Sequence, residues 1–334
     1  MTVNPPLIVV LGAAGFVGSA IYRELATHPV RLRAVSRRAC PVPEGARADI
    51  EIRSADLTEP GQMAAAVAGA DVVIHCLAYI AGASTWRITD GDEGATRVHV
   101  GLMRDLLDAL ADRTDGRPPA TVLYTGSVTQ AGPTDGEVLD GSEPDRPKNL
   151  YERLKLQAEQ LLLEADRAGQ VRAASLRLTT VYGYSAASTA RDKGIVSTMT
   201  RRAVAGEPLT MWHDGTVRRD LLHVDDVARA FWAAIPAVDH LAGKRWLLGT
   251  GEGAPLGEVF TKVAALVAEQ TGKDPVPVVS VAPPEYAEAS DFRSVTIDSS
   301  AFRAATGWRP QVSLDQGLRL TTAFCSSGRE TQVR

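Results

Sequence analysis

Leu7-Ile8-Val9-Val10-Leu11-Gly12-Ala13-Ala14-Gly15-Phe16-Val17-Gly18 is the stretch on which the fold turns. Its first five residues are apolar without alternation, as in a parallel strand covered on both faces. The run lacks a basic leader and enters glycines instead of a cleavage site, so it reads as a buried strand and not a signal peptide. Gly12 suits a tight turn, Gly15 lets backbone approach a pyrophosphate, and Gly18 lets the following helix pack closely. The N–H groups near Phe16 and Val17 would then meet phosphates at a helix N-terminus. Glycine clusters also occur in turns that hold no ligand. A strand before and a helix after, continuing to about Thr27, are the context that favours a dinucleotide.

Downstream, short apolar runs alternate with helical segments, the pattern of βαβ units and a parallel sheet. Arg31–Ser36, Ile50–Arg53, Asp71–Ala78, Thr121–Ser127 and Ala174–Val181 read as strands. Helical patterns cover Met63–Ala68, Asp92–Ala111 and Tyr151–Ala168, and Gly132–Asn149 reads as a loop over the site. The expected fold class is α/β, a Rossmann-type doubly wound parallel sheet. Beyond Gly183 the alternation fades into a smaller discontinuous lobe. Residues 1–183 and 221–249 are assigned to the dinucleotide-binding domain, and 184–220 and 250–334 to a substrate lobe. Gly249, Gly251 and Gly253 follow the strand Trp246–Leu248 without a ribose-reading residue downstream, so they read as a plain turn into a helix.

Where an NAD site usually offers an acidic residue to the ribose, at the end of the second strand, this chain has Ser36-Arg37-Arg38. Two guanidinium groups suit a 2′-phosphate through forked, charge-assisted bonds, so NADP(H) is the expected cofactor. The alternative is a pair of solvated loop charges.

Tyr151 and Lys155 stand four apart in YERLK, on one face of a helix, with Ser127 upstream. An ammonium beside a phenol favours the phenolate and would lower its pKa toward working pH, as an acid–base catalyst needs. Such a spacing alone is common on exposed helices. Its weight here comes from the glycine turn and Ser127.

Composition narrows the remaining classes. The 334 residues are 45% hydrophobic and 23% charged, enough for a full core. A net charge of −4 gives no footprint for nucleic acid. No apolar run reaches membrane-span length, and Cys40, Cys76 and Cys325 form neither a disulfide framework nor a metal cage, so a cytoplasmic location is expected. Asp225-Asp226 has no third ligand at metal spacing, and no metal is assigned.

GAAGFVG, Asp56-Leu57, TGSV at 125–128, YERLK, LRLTTVYG at 176–183, RRDLLHVDDVARA at 218–230 and TGWRP at 306–310 occur in order along nearly the whole chain. In that combination the sequence resembles the extended short-chain dehydrogenase/reductase family, which includes nucleotide-sugar epimerases, dehydratases and ketoreductases. The resemblance implies that Asp56 and Leu57 flank an adenine and that Leu77 and Ala78 line the cofactor cleft. It implies Tyr151 as proton donor or acceptor, Lys155 on the nicotinamide ribose, and Ser127 on the substrate oxygen. Arg219 and Arg293 would contact a substrate diphosphate, or else make structural ion pairs. Trp212 would lie against the nucleotide base or fill the core, and Lys193 would belong to a closing loop or be a solvated charge. Thr180 replaces a frequent Asn near the substrate phosphates, Leu154 replaces a small residue, and His99 stands where Asn is common, which suggests packing there. A homodimer through Asp92–Ala111 and Tyr151–Ala168 is also implied.

After Ser127 the chain has Val128-Thr129, not the Asp-Glu pair of 4,6-dehydratases or the Cys of reductases that also epimerise. Stretches such as VHVGLMRDLLDAL, EPLTMWHDGTVRRDLLHVDDVARAF and DFRSVTIDSSAF look like the 4-ketoreductases of deoxysugar pathways in antibiotic biosynthesis. The expected activity is therefore NADPH-dependent reduction of a thymidine-diphosphate 4-keto-6-deoxyhexose or its 2,6-dideoxy derivative. The alternatives are an NAD-dependent nucleotide-sugar 4-epimerase and a non-catalytic NADP(H)-binding redox sensor. The sensor reading sits poorly with a retained Tyr–Lys pair.

Overall fold

Apolar runs that do not alternate collect in the middle of one sheet. β1 (Leu7–Leu11), β2 (Arg31–Ser36), β3 (Asp49–Ser54), β4 (Val72–His75) and β5 (Thr121–Ser127) are joined there by the strands Arg172–Leu178 and Lys244–Leu248. In the computed structural model, which describes residues 5–79, 88–111, 116–184, 192–285 and 287–327, all seven run parallel. Their order is Lys244–Leu248, Arg172–Leu178, β5, β4, β1, β2, β3. This is the expected Rossmann-type α/β sheet.

Strand order reverses between β1 and β4, and open α/β sheets take their ligands beyond the carboxyl ends of the strands at such a switch point. Gly12 leaves β1 with φ +88°, and a Cβ there would lie 2.9 Å from the carbonyl oxygen of Cys76, just past β4. Only glycine lets the two chains pass so closely. On one face of the sheet α1 (Phe16–Ala26) packs against the helix Val224–Ala234 through Tyr22, Leu25, Phe231 and Ala234. On the other, Leu106, Leu110, Ala158 and Leu162 bring in the helices Leu102–Ala111 and Leu150–Arg167. Each of the buried Leu and Phe side chains among these stabilises the fold by about 1.5–3 kcal/mol.

Several elements end differently from their sequence pattern. The run Asp71–Ala78 leaves the sheet after His75, where the Cys76 N–H makes a last bond to Leu11 O at 2.9 Å, and Ala78 is exposed in the crevice. Asp92–Ala111 is helical but not uniform: Asp92 caps Glu93–Thr96, a π turn spans Arg97–Gly101, and Leu102–Ala111 follows. Ala174–Val181 divides into a sheet strand and a separate strand, Thr180–Tyr182. The latter pairs with Arg218–His223, itself paired to Gly253–Pro255. Gly253 therefore opens a strand, and the helix expected after the glycines starts at Leu256.

A separate core gathers the helices Ile195–Val204, Leu256–Thr271 and Leu314–Ser326 around Val196, Leu209, Phe260 and Leu318. A two-residue strand, Val138–Leu139, pairs in parallel with Thr296–Ile297 and ties the segment Gly132–Asn149 to residues late in the chain. Asp226, fully buried, accepts from the N–H groups of Gln311 and Val312 at 2.7 and 3.0 Å, while Asp225 pairs with Arg23. Both acids thus hold chain segments together. Among the described residues no helix is long and apolar enough to cross a membrane.

Candidate active site

Ser127 ends β5 at the carboxyl edge of the sheet. Its N–H donates to Gln130 Oε1 at 2.7 Å, and its Oγ accepts from Thr129 N at 3.3 Å and lies 2.9 Å from Thr129 Oγ1. These bonds start the turn Val128–Ala131 and set the hydroxyl at the rim. The helix Leu150–Arg167 begins at Asn149, whose side chain accepts from Glu152 N at 3.0 Å. Tyr151, Lys155 and Glu159 occupy one face of it at i, i+4 and i+8.

Tyr151 lies close enough to Ser127 for that hydroxyl to favour the phenolate. Burial nevertheless pushes the phenol up to about 12, against the effect of Ser127, and the charge of Glu152 adds to the rise. The expected lowering by Lys155 is corrected: desolvation sets the direction, and Lys155 is not among the groups that shift the phenol. The Lys155 Nζ donates to the Thr125 carbonyl at 2.7 Å and stands 4.8 Å from the centre of the Tyr124 ring. Burial brings this amine down to about 8, opposed by Cys76 and Glu159. His75 and His99 are buried nearby, held neutral by burial and by the Lys155 charge at about 3 and about 2. His99 lies on the π turn, with its ring edge-on to Tyr151 at 5.8 Å and its Nε2 3.5 Å from Tyr79 N.

The cofactor half fits a dinucleotide. Gly15 caps α1 without any side-chain bond, and the first turn has no acidic residue, so its N–H groups at Phe16 and Val17 face outward for an anion. A Cβ on Gly18 would collide with the Gly12 carbonyl. Arg37 and Arg38 are exposed at the end of β2, whereas Ser36 is buried and donates its hydroxyl proton to Arg38 O at 2.5 Å. Asp56 is exposed, its carboxyl held below the usual range by bonds from Thr58. Leu57 packs into the core at 4% exposure, leaving its backbone to face a base. Leu77 is partly buried and Ala78 exposed beside the glycine turn.

On the substrate side Thr180 begins its short strand, and Trp212, half-buried, follows the strand Leu209–Met211. Lys193 precedes the helix Ile195–Val204; the rest of its loop, residues 185–191, lies outside the described residues. Arg219 spends its guanidinium on the carbonyls of Ser290, Asp291 and Arg293. It braces the segment carrying Arg293, whose Nη2 donates to Thr134 Oγ1 of the loop over the site at 3.3 Å.

Thr125, Tyr124, His75, Thr129 and Glu159 belong to this site and were missed from the sequence. Glu159 had a signal, one helical turn past Lys155. The Thr125 carbonyl, a backbone group, had none.

Three comparisons place this arrangement among known proteins. The chain is 26% identical to the dTDP-L-rhamnose 4-epimerase of Burkholderia thailandensis, over 93% of this chain and 92% of that one. It is 24% identical to the dTDP-6-deoxy-L-talose 4-dehydrogenase (NAD(P)(+)) of Kitasatospora kifunensis, over 94% of each. Among solved structures, MoeE5 in complex with UDP-glucose and NAD superposes with a TM-score of 0.77 and 27% identity, over 96% of this chain and 99% of that one. Residues 8–249, which hold the glycine turn, Ser127, Tyr151 and Lys155, match the NAD dependent epimerase/dehydratase family, and the chain belongs to it.

Proposed function

We propose that the protein reduces the 4-keto group of a thymidine-diphosphate 4-keto-6-deoxyhexose, or its 2,6-dideoxy form, with NADPH. The observation that carries this reading is a desolvated Tyr151 phenol close enough to Ser127 to feel its hydroxyl, with Lys155 one helical turn on, followed by Val128-Thr129 where an eliminating enzyme needs an acid and a base. Two relatives matching 93% and 94% of the chain are named for reactions at carbon four of thymidine-diphosphate 6-deoxysugars. They support the substrate class that the sequence stretches suggest.

Ser127 donates to the ketone oxygen and polarises the carbonyl. Tyr151, protonated at neutral pH with a phenol near 12, gives its proton to that oxygen as the alcohol forms. Lys155 keeps a positive charge beneath the pair and steadies the phenolate left behind. A reduced nicotinamide bound in the crevice supplies the hydride. Gly12, Gly15, Phe16, Val17 and Gly18 hold its pyrophosphate, Arg37 and Arg38 its 2′-phosphate, and Leu77 and Ala78 the inner wall. Arg293 meets the sugar diphosphate from a segment braced by Arg219, with Trp212, Thr180 and Lys193 around the nucleotide.

Incubation with NADPH and such a keto sugar consumes the reduced cofactor, followed by its absorbance. Tyr151→Phe lowers turnover at least about a hundredfold and leaves NADPH affinity unchanged. Undiminished turnover would remove Tyr151 from this role. The relative named as a 4-epimerase supports a second reading, nucleotide-sugar 4-epimerisation with retained NAD. Purified protein carrying tightly held NAD, active without added reductant, would favour it. We also infer a homodimer through the faces of Glu93–Ala111 and Leu150–Arg167, and a monomer mass in light scattering would count against it.

A further inference from the structure

We propose that Ser54 is a positioning residue that sets selectivity for a dinucleotide bearing a 2′-phosphate. Ser54 closes β3 and stands in register with Ser36, which closes β2. Their hydroxyls donate to successive carbonyls of one turn: Ser54 Oγ to Arg37 O at 2.9 Å, and Ser36 Oγ to Arg38 O at 2.5 Å. Below them Ala55 N donates to Ser36 O at 3.0 Å and joins the two strand ends. The turn is locked from both sides, and its two arginine side chains are left facing solvent.

Its place in the cleft follows from one carbonyl. Val35 O, the residue before Ser36, accepts from both Gly12 N at 2.8 Å and Ala13 N at 3.1 Å, so the arginine turn abuts the glycine turn. Arg53 is tied to Glu51 at 2.5 Å and to Ala65 O at 2.6 Å, and Arg33 bonds Glu51 and the carbonyls of Ala66 and Ala68. Arg37 lies near enough to Asp56 to add to the Thr58 bonds that hold its carboxyl down, which puts both at the adenosine corner. Arg meets phosphate through forked, charge-assisted bonds whose strength depends on orientation, so peptide planes held between Arg37 and Arg38 limit the directions from which the two approach one anion. Ser36 serves that purpose from beneath, its proton already given to Arg38 O, so it is a brace and not a phosphate ligand. Ser54 braces the other carbonyl from an exposed position, where its loss leaves the core intact.

This inference rests on the NADP(H) reading above, and the test separates the two. The full-length protein is titrated calorimetrically with adenosine 2′,5′-bisphosphate and with 5′-AMP. The unaltered protein binds the bisphosphate more tightly. Ser54→Ala weakens the bisphosphate about three- to tenfold, the range of one lost hydrogen bond, and leaves 5′-AMP unchanged. Ser54→Thr, which keeps the hydroxyl, restores tight binding. Equal weakening of both nucleotides, or no weakening, overturns the positioning role. If the unaltered protein binds both nucleotides equally, the NADP(H) reading falls, and the proposal with it.

Discussion

Lys155 and Tyr151 divide the pH response between them. The amine, brought down from 10.5 to about 8 by burial, loses its charge as pH rises through that value. The phenol, pushed up to about 12, keeps its proton throughout. A reductive step that needs both a phenol and a cation is therefore limited on the alkaline side by Lys155 alone. The apparent kcat/KM for ketone reduction stays level through neutrality and then falls, reaching about a tenfold loss per pH unit above the break near 8. A profile that stays flat to pH 10 would detach Lys155 from the chemistry. Stability runs the other way. Between about 8 and 10.5 the unfolded chain holds the Lys155 proton more tightly than the folded one, so this group's contribution to stability rises with pH through that window.

The helix Leu150–Arg167, which carries Tyr151 and Lys155, is joined to its neighbours by buried charge. Arg177, 2% exposed on the strand Arg172–Leu178, donates to Glu159 of the helix at 2.5 and 3.0 Å and to Asp145 of the loop over the site at 2.7 Å. Removing the arginine strands one buried carboxylate and frees the loop. Arg177→Met is expected to cost about 3–5 kcal/mol in urea unfolding, with Glu159→Leu added to it recovering part of the loss. A loss below about 1 kcal/mol would mean that Asp145 and Glu159 find other partners. The sequence showed the helix and not this network. β1 and β5 keep the limits their apolar runs predict, because burial on both faces leaves no other solution. The run Asp71–Ala78 misleads, since Leu77 remains apolar after the chain has left the sheet to wall the crevice. A π turn at Arg97–Gly101 has the composition of any helix, and two-residue strands such as Val138–Leu139 are too short to show a period. Tyr151 and Lys155 were readable as neighbours on one helix face because a spacing of four is local, whereas the approach of Ser127, 24 residues earlier, depends on the sheet. The desolvation that raises the phenol depends on residues far away in the chain.

At the scale of the whole molecule, segments far apart in the chain are held to one another through a single buried carboxylate. Asp220 is fully buried and accepts from Thr250 N at 2.8 Å, Gly251 N at 3.0 Å, Ile297 N at 3.0 Å and Thr250 Oγ1 at 2.9 Å. Its own carbonyl takes the Thr179 hydroxyl at 2.9 Å, and its N–H goes to Val295 O at 3.0 Å. The end of the main sheet, the turn after its last strand and the segment carrying Arg293 thus converge on one side chain. Gly249 makes room for it, since a Cβ there would lie 2.8 Å from an Asp220 oxygen. Asp220→Asn keeps the shape but turns an amide donor toward backbone donors, stranding at least one N–H at about 1–3 kcal/mol. The lowered urea midpoint is the first readout. The second is directional: the glycine turn and Arg37-Arg38 lie at the far side of the sheet and keep NADPH affinity within about twofold. On the proposed reading, in which Arg293 meets the sugar diphosphate, the nucleotide sugar binds more weakly, and its KM rises well beyond that margin. Equal losses for both ligands would show that Asp220 supports the whole fold evenly and does not register the segment carrying Arg293.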